Sequence, residues 1–168
     1  TTTRPSDEFE ARIGGGVGDD SLVKGNAMVS GPIIQDKMFG RLAVSYRDTD
    51  GQYDNKFTGD DDTGNYLEEK NIRGRMIWEV NDDFSLDLRA GTRRVEGGAI
   101  NFNAVFAIPA FVDFLGSGAF WADVNEHDFT FAFNVPGENK QTTNELSLKA
   151  DWSLDAFDVM AVAAYNDL

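Results

Sequence analysis

The run Glu145-Leu146-Ser147-Leu148-Lys149-Ala150-Asp151-Trp152-Ser153-Leu154 decides the fold. Leu146, Leu148, Ala150, Trp152 and Leu154 fall on one side of an extended chain; Glu145, Ser147, Lys149, Asp151 and Ser153 fall on the other. Side chains alternate across a strand with period two, so this is a strand with one apolar and one charged face. Its length suits a strand that crosses a bilayer obliquely. Leu42-Val44-Tyr46 against Arg41-Ala43-Ser45-Arg47 repeats the pattern.

Seven such strands are expected, over residues 9–17, 24–31, 38–47, 71–80, 84–93, 144–154 and 157–165. Three connections are tight: residues 32–37, Asn81-Asp82-Asp83 and Asp155-Ala156. At the opposite end a short turn, Gly18-Asp19-Asp20, is followed by two long loops, 48–70 and 94–143. Structureless loops of that length are foreign to a compact soluble domain, whereas outer-membrane barrels pair short turns on one side with long loops on the other. The expected fold is all-β: an antiparallel, up-and-down transmembrane barrel segment.

Composition removes several classes. Hydrophobic residues make up 41% of the 168 and are dispersed; no segment approaches the roughly 18–20 consecutive apolar residues of a transmembrane helix. With no cysteine there is no disulfide, thiolate metal site or thiol nucleophile. A net charge of -14 argues against a nucleic-acid partner. Thr1-Thr2-Thr3-Arg4-Pro5 has neither the basic nor the apolar part of a signal peptide, so the chain is expected to be mature or to begin elsewhere. Asp60-Asp61-Asp62 offers oxygen ligands without the spacing of a calcium loop, and His127 is the lone histidine. No phosphate loop, nucleophile elbow or catalytic constellation is present, so no enzyme, cofactor or metal site is expected.

Trp78, Phe84, Trp152 and Phe157 lie near short turns on the apolar face, where amphipathic rings meet a membrane interface. Capping of a soluble β-sandwich core is the competing use. The polar face collects Arg41, Arg73, Arg75, Arg89, Arg93 and Lys149 with Glu79 and Asp87. Such a ladder either docks an internal plug or lines a solvated lumen.

Loop 94–143 holds eight of the thirteen phenylalanines. Alternation at Phe102-Ala104-Phe106 and Phe129-Phe131-Phe133 extends the flanking strands as a hairpin, with bulges expected at Gly97-Gly98 and Pro136-Gly137. Phe102, Phe106, Trp121, Phe129 and Phe131 are candidate substrate-binding residues over a pore mouth. Loop-on-loop packing, or contact with lipopolysaccharide or a partner protein, competes with that role.

Several segments together resemble the TonB-dependent outer-membrane receptor family: residues 3–9 (TRPSDEF), 29–34 (VSGPII), 39–47 (FGRLAVSYR), 50–55 (DGQYDN), and 71–75 (NIRGR) through 83–89 (DFSLDLR). The resemblance implies residues 1–8 as the end of a plug or its linker and 9–168 as the first part of a 22-stranded barrel. It also implies uptake of a scarce nutrient of the siderophore, cobalamin or oligosaccharide type, powered by the TonB complex. Outer-membrane lipid, the plug and the remaining strands would then be the partners. The plug, the TonB-contacting segment and about two thirds of the barrel are missing from the pattern, and seven strands leave open edges that lipid does not tolerate. A fragment of a longer polypeptide is therefore expected. A small outer-membrane barrel with an adhesive or structural role, and a soluble all-β binding module, are the alternatives.

Overall fold

The computed structural model describes residues 3–55, 57–98, 130–131, 134 and 137–168. Every regular element among them is a strand: β1 (Glu10–Val17), β2 (Val23–Ile34), β3 (Met38–Thr49), β4 (Tyr53–Asn55), β5 (Asp60–Thr63), β6 (Leu67–Glu79), β7 (Phe84–Gly97), β8 (Thr130–Phe131), β9 (Asn139–Ser153) and β10 (Asp158–Asp167). Seven form one antiparallel up-and-down sheet in the order β1-β2-β3-β6-β7-β9-β10. These are the seven strands that alternation predicts.

Several boundaries differ from expectation. Strand β2 runs through Pro32 to Ile34, with a register shift between those residues, so the turn shrinks to Gln35-Asp36-Lys37. The shift accommodates a proline that cannot donate to the ladder, and Lys37 N–H closes the turn on Ile34 O at 3.1 Å. Strands β6, β7 and β9 outrun their apolar stretches, and β7 pairs with β9 without interruption to Gly97↔Asn139. Gly97 thus ends the ladder instead of bulging; a Cβ there would stand 2.8 Å from Tyr66 O, so glycine permits the close passage of β6. Pro136 lies outside the described residues.

The acidic stretch 48–70 is structured too. Its ends belong to β3 and β6, and between them β4 and β5 form a hairpin inside a three-stranded sheet, β5-β4-β8. Tyr53 and Asn55 of β4 are buried. Burial of one tyrosine stabilises pairing by an Asp60–Thr63 strand whose composition disfavours β-structure, because packing context outweighs intrinsic preference.

The main sheet has no apolar second layer among the described residues. Ile77 is its one buried large apolar side chain among the described residues, Tyr53 belonging to the smaller sheet, and the leucines that would fill a sandwich core are open, Leu42 at 48% and Leu148 at 42% exposure.

Candidate functional site

Directly opposed residues of antiparallel strands share a face, so the registers sort every side chain. One row of the charged face reads Ser30–Arg41–Arg75–Arg89–Ser147. Toward the short turns follow Phe39–Ile77–Asp87–Lys149 and Glu79–Ser85–Asp151; toward the long connections follow Ala43–Arg73–Gly91–Glu145 and Ser45–Asn71–Arg93–Thr143. All eight charged residues that the sequence assigns to one side, Arg41, Arg73, Arg75, Glu79, Asp87, Arg89, Arg93 and Lys149, lie on it.

Three arginines in neighbouring strands repel one another, and Asp87 relieves two of them. Arg75 donates through Nε to Asp87 Oδ1 at 2.9 Å and through Nη2 to Oδ2 at 2.7 Å; Arg89 donates to the same oxygens at 3.3 and 2.7 Å. Such forked, charge-assisted bonds are the stronger kind, and Asp87 and Arg75 are both only 12% exposed. Arg93 Nε donates to Glu69 Oε1 at 2.8 Å, and Lys149 Nζ lies 2.8 Å from Asp151 Oδ1. The side chains of Arg41 and Arg73 form no hydrogen bond or ion pair with another described residue.

The start of the chain lies across this same face. Ser6 N–H donates to Ser30 Oγ at 2.9 Å, the two hydroxyls sit 2.9 Å apart, and Arg4 Nη2 reaches Glu79 Oε1 at 3.2 Å. Pro5 and Ser30 are buried beneath the crossing. The sequence offers no periodic signal for this contact.

The opposite face is apolar and uncovered. Its rows run Phe84–Trp152–Val159, Met38–Trp78–Leu86–Ala150–Ala161, Gly40–Met76–Leu88–Leu148–Ala163 and Ala11–Val29–Leu42–Gly74–Ala90–Leu146–Tyr165. Trp78, Phe84 and Trp152 gather at the short-turn end, Phe84 and Trp152 edge to face with centroids 6.2 Å apart. Phe157 follows on the same side, its carbonyl accepting from Leu154 N–H at 3.0 Å.

The apolar band is oblique. Its limit toward the long connections falls from Val17 and Val23 on β1 and β2 to Tyr46 on β3, Ile72 on β6, and Ala90, Leu146 and Tyr165 on the last three strands. That is about one residue per strand; with ~3.4 Å per residue and ~4.8 Å between strands the tilt is about 35°, the value typical of barrel strands. On β3 the five outward residues Met38, Gly40, Leu42, Val44 and Tyr46, so inclined, span about 22 Å, near the ~25 Å apolar belt of outer-membrane barrels.

At the long-loop end a recess of about 570 Å³ is bordered by Arg47, Gln52, Asn65, Tyr66 and Asn139. Gln52 ties its rim, donating from Nε2 to Asp20 Oδ2 at 2.7 Å and from N–H to Asn65 Oδ1 at 2.8 Å. Of the candidate substrate-binding aromatics, Phe102, Phe106, Trp121 and Phe129 lie outside the described residues; Phe131 is described by its backbone alone, opposite Asn55. Among the described residues no group of acidic or histidine side chains is arranged to hold a metal.

No protein-family model matches the sequence, and no curated protein does. Among solved structures, the chain is similar to the ferripyoverdine receptor of the outer membrane of Pseudomonas aeruginosa bound to ferripyoverdine, at 15% identity over 90% of this chain, with a TM-score of 0.65. It is also similar to a chain of the complex of FpvAI with pyocin S2, at 16% identity over 91% of this chain, with a TM-score of 0.66. The chain spans 18% of the length of each. At such identity the likeness is one of fold.

Proposed function

We propose that this sheet is part of the wall of a bacterial outer-membrane barrel belonging to an active-transport receptor of the TonB-dependent kind. The oblique, open apolar band carries the reading: its tilt and height suit a bilayer, and no core among the described residues competes for its leucines. The ferripyoverdine receptor's likeness over nine tenths of the chain supports the same architecture. Strands β1 and β10 are edges of the sheet, and edges in lipid leave amides and carbonyls unpaired at several kcal/mol each, which favours closure by further strands, 22 in all by family resemblance.

In that barrel Arg41 and Arg73 face the lumen with open donors, suited to carboxylates of an internal plug, and residues 3–8 form the plug's exit along the wall. Trp78, Phe84, Trp152 and Phe157 stand at the periplasmic interface. The aromatic segment around Phe102, Phe106, Trp121, Phe129 and Phe131 lies over the external mouth, where it contributes to binding of a nutrient of the siderophore, cobalamin or oligosaccharide type. Catalysis has no role in this reading.

The test uses the full-length polypeptide. Membrane fractionation and gel migration before and after boiling are expected to give a heat-modifiable outer-membrane species. Titration with a panel of ferric siderophores, cobalamin and maltooligosaccharides is expected to show tight binding of one class. Recovery in the aqueous fraction without detergent would overturn the membrane reading; a folded barrel that binds none of the panel and needs no TonB complex would overturn the receptor reading.

A further inference from the structure

Past the apolar band the outward face turns ionic. After the row Val44–Ile72–Thr92–Asn144 comes Tyr46–Lys70–Arg94–Thr142, and then Asp48–Glu68–Glu96–Lys140. These residues share the face of Leu42 and Leu148, so a charged lumen does not account for them. On β1 and β2 the same rows are still Gly15, Val17, Val23 and Gly25. Lys70 stands one row beyond the band's limit at Ile72, Arg94 two rows beyond Ala90, and Lys140 three rows beyond Leu146, so the cations climb away from the band across β6, β7 and β9.

Each cation is steadied by a carboxylate and remains open. Lys70 Nζ lies 2.8 Å from Glu68 Oε1 and 5.8 Å from the centre of the Tyr46 ring. Lys140 Nζ lies 3.0 Å from Glu96 Oε1 and also pairs with Glu138, which together hold its ammonium above the ordinary lysine value. Arg94 Nη2 is 3.7 Å from Glu96 Oε2. The side chains of Lys70, Arg94 and Lys140 are 55%, 64% and 53% exposed. An ammonium has three donors and a guanidinium five, so a single carboxylate leaves donors directed outward.

We propose that Lys70, Arg94 and Lys140 bind the phosphate groups of lipid heads in the leaflet at the long-loop end. Position argues for lipid over free phosphate: Lys70 follows the apolar band directly on β6, Tyr46 in its row is an amphipathic ring of the kind that settles at headgroup level, and Arg94 and Lys140 extend the same face further from the band. Asp48, Glu68, Glu96 and Glu138 stand among the three cations, so recognition rests on the cations' open donors at short range and not on a net positive field. The inference rests on the membrane-wall reading, so its test must separate the two.

The full-length polypeptide carrying L148C, labelled with an environment-sensitive dye, is reconstituted with phosphatidylcholine; a blue shift reports that the band meets lipid. Native mass spectrometry then compares retention of phosphatidic acid with that of phosphatidylcholine, in the parent and in a K70Q/R94Q/K140Q variant. Preferential retention of phosphatidic acid that falls roughly ten- to a hundredfold in the variant, with the blue shift intact, is the expected result. Equal retention by both proteins with the shift intact overturns the phosphate site alone. Displacement by millimolar inorganic phosphate overturns the lipid assignment, and absence of the shift overturns the membrane wall. Should the triple variant fail to fold, R94Q with K140Q keeps the comparison.

Discussion

The two faces of the seven-stranded sheet satisfy the same backbone in opposite ways. On the charged face most groups that need partners find them: Asp87 between Arg75 and Arg89, Glu69 for Arg93, residues 4–6 against Glu79 and Ser30. On the apolar face Leu42, Leu148 and Trp152 stay about half exposed among the described residues. A protein in water hides its leucines and exposes its charges. This sheet leaves leucines open on one side and holds Asp87 and Arg75 nearly buried on the other, which is what the proposed membrane wall requires.

The largest expected effect comes from breaking that division on the apolar side. L148R places a guanidinium mid-band and should destabilise the inserted barrel by ~2–4 kcal/mol, as arginine does near a bilayer midplane. Urea unfolding of the full-length polypeptide in phosphatidylcholine vesicles measures it. R89Q, one strand away on the other face, should cost well under half as much, because Asp87 keeps its fork to Arg75. Equal losses would mean that the faces share one solvent.

Next comes D87N. It strips charge from the one acceptor that two arginines use, in a site only 12% exposed on the aspartate. A loss of about 1–3 kcal/mol is expected in the same assay, since two donors lose a charged partner at once. Combining D87N with R89Q should then cost little more than D87N alone, and strict additivity would contradict the shared clamp. Smaller again is the Phe84–Trp152 edge-to-face pair. A double-mutant cycle with F84A and W152A should return a coupling of about 0.5–1.5 kcal/mol.

Much of this division was legible before any coordinates. Alternation sorts Leu146 from Lys149 and Leu88 from Arg89, because one face meets a single apolar environment over the whole strand. Legibility stops where that environment stops. Above the band both faces of β6 are polar, as in Leu67-Glu68-Glu69-Lys70, so period two loses its contrast and the strand's start is invisible. The β4–β5 hairpin was hidden for another reason: Asp60-Asp61-Asp62 reads as a hydrated loop, and only pairing with the strand that buries Tyr53 makes it a strand. The contact of Ser6 with Ser30 depends on a chain crossing that no local pattern encodes. The aromatic candidates around Phe102 lie outside the described residues, and of the two bulges expected to set their facing the one at Gly97 gives way to a ladder unbroken to Asn139.

The smallest expected change in stability carries the sharpest question. Arg41 opposes Arg75 in the register and pairs with no described carboxylate. Directly opposed like charges are mildly unfavourable, so a wall that meets only water should tolerate R41Q within about 0.5 kcal/mol, or gain slightly. A wall that docks an anionic internal segment should behave differently. R41Q would then leave the barrel's own unfolding midpoint almost unchanged while loosening that segment, seen as faster hydrogen exchange in whatever packs against β3 and β6 and as faster proteolysis of residues 3–8. Salt should mimic the substitution, because a half-open guanidinium–carboxylate contact weakens as ions screen it. If exchange is the same in both proteins from low to high salt, the charged face is a wetted wall and nothing leans on Arg41.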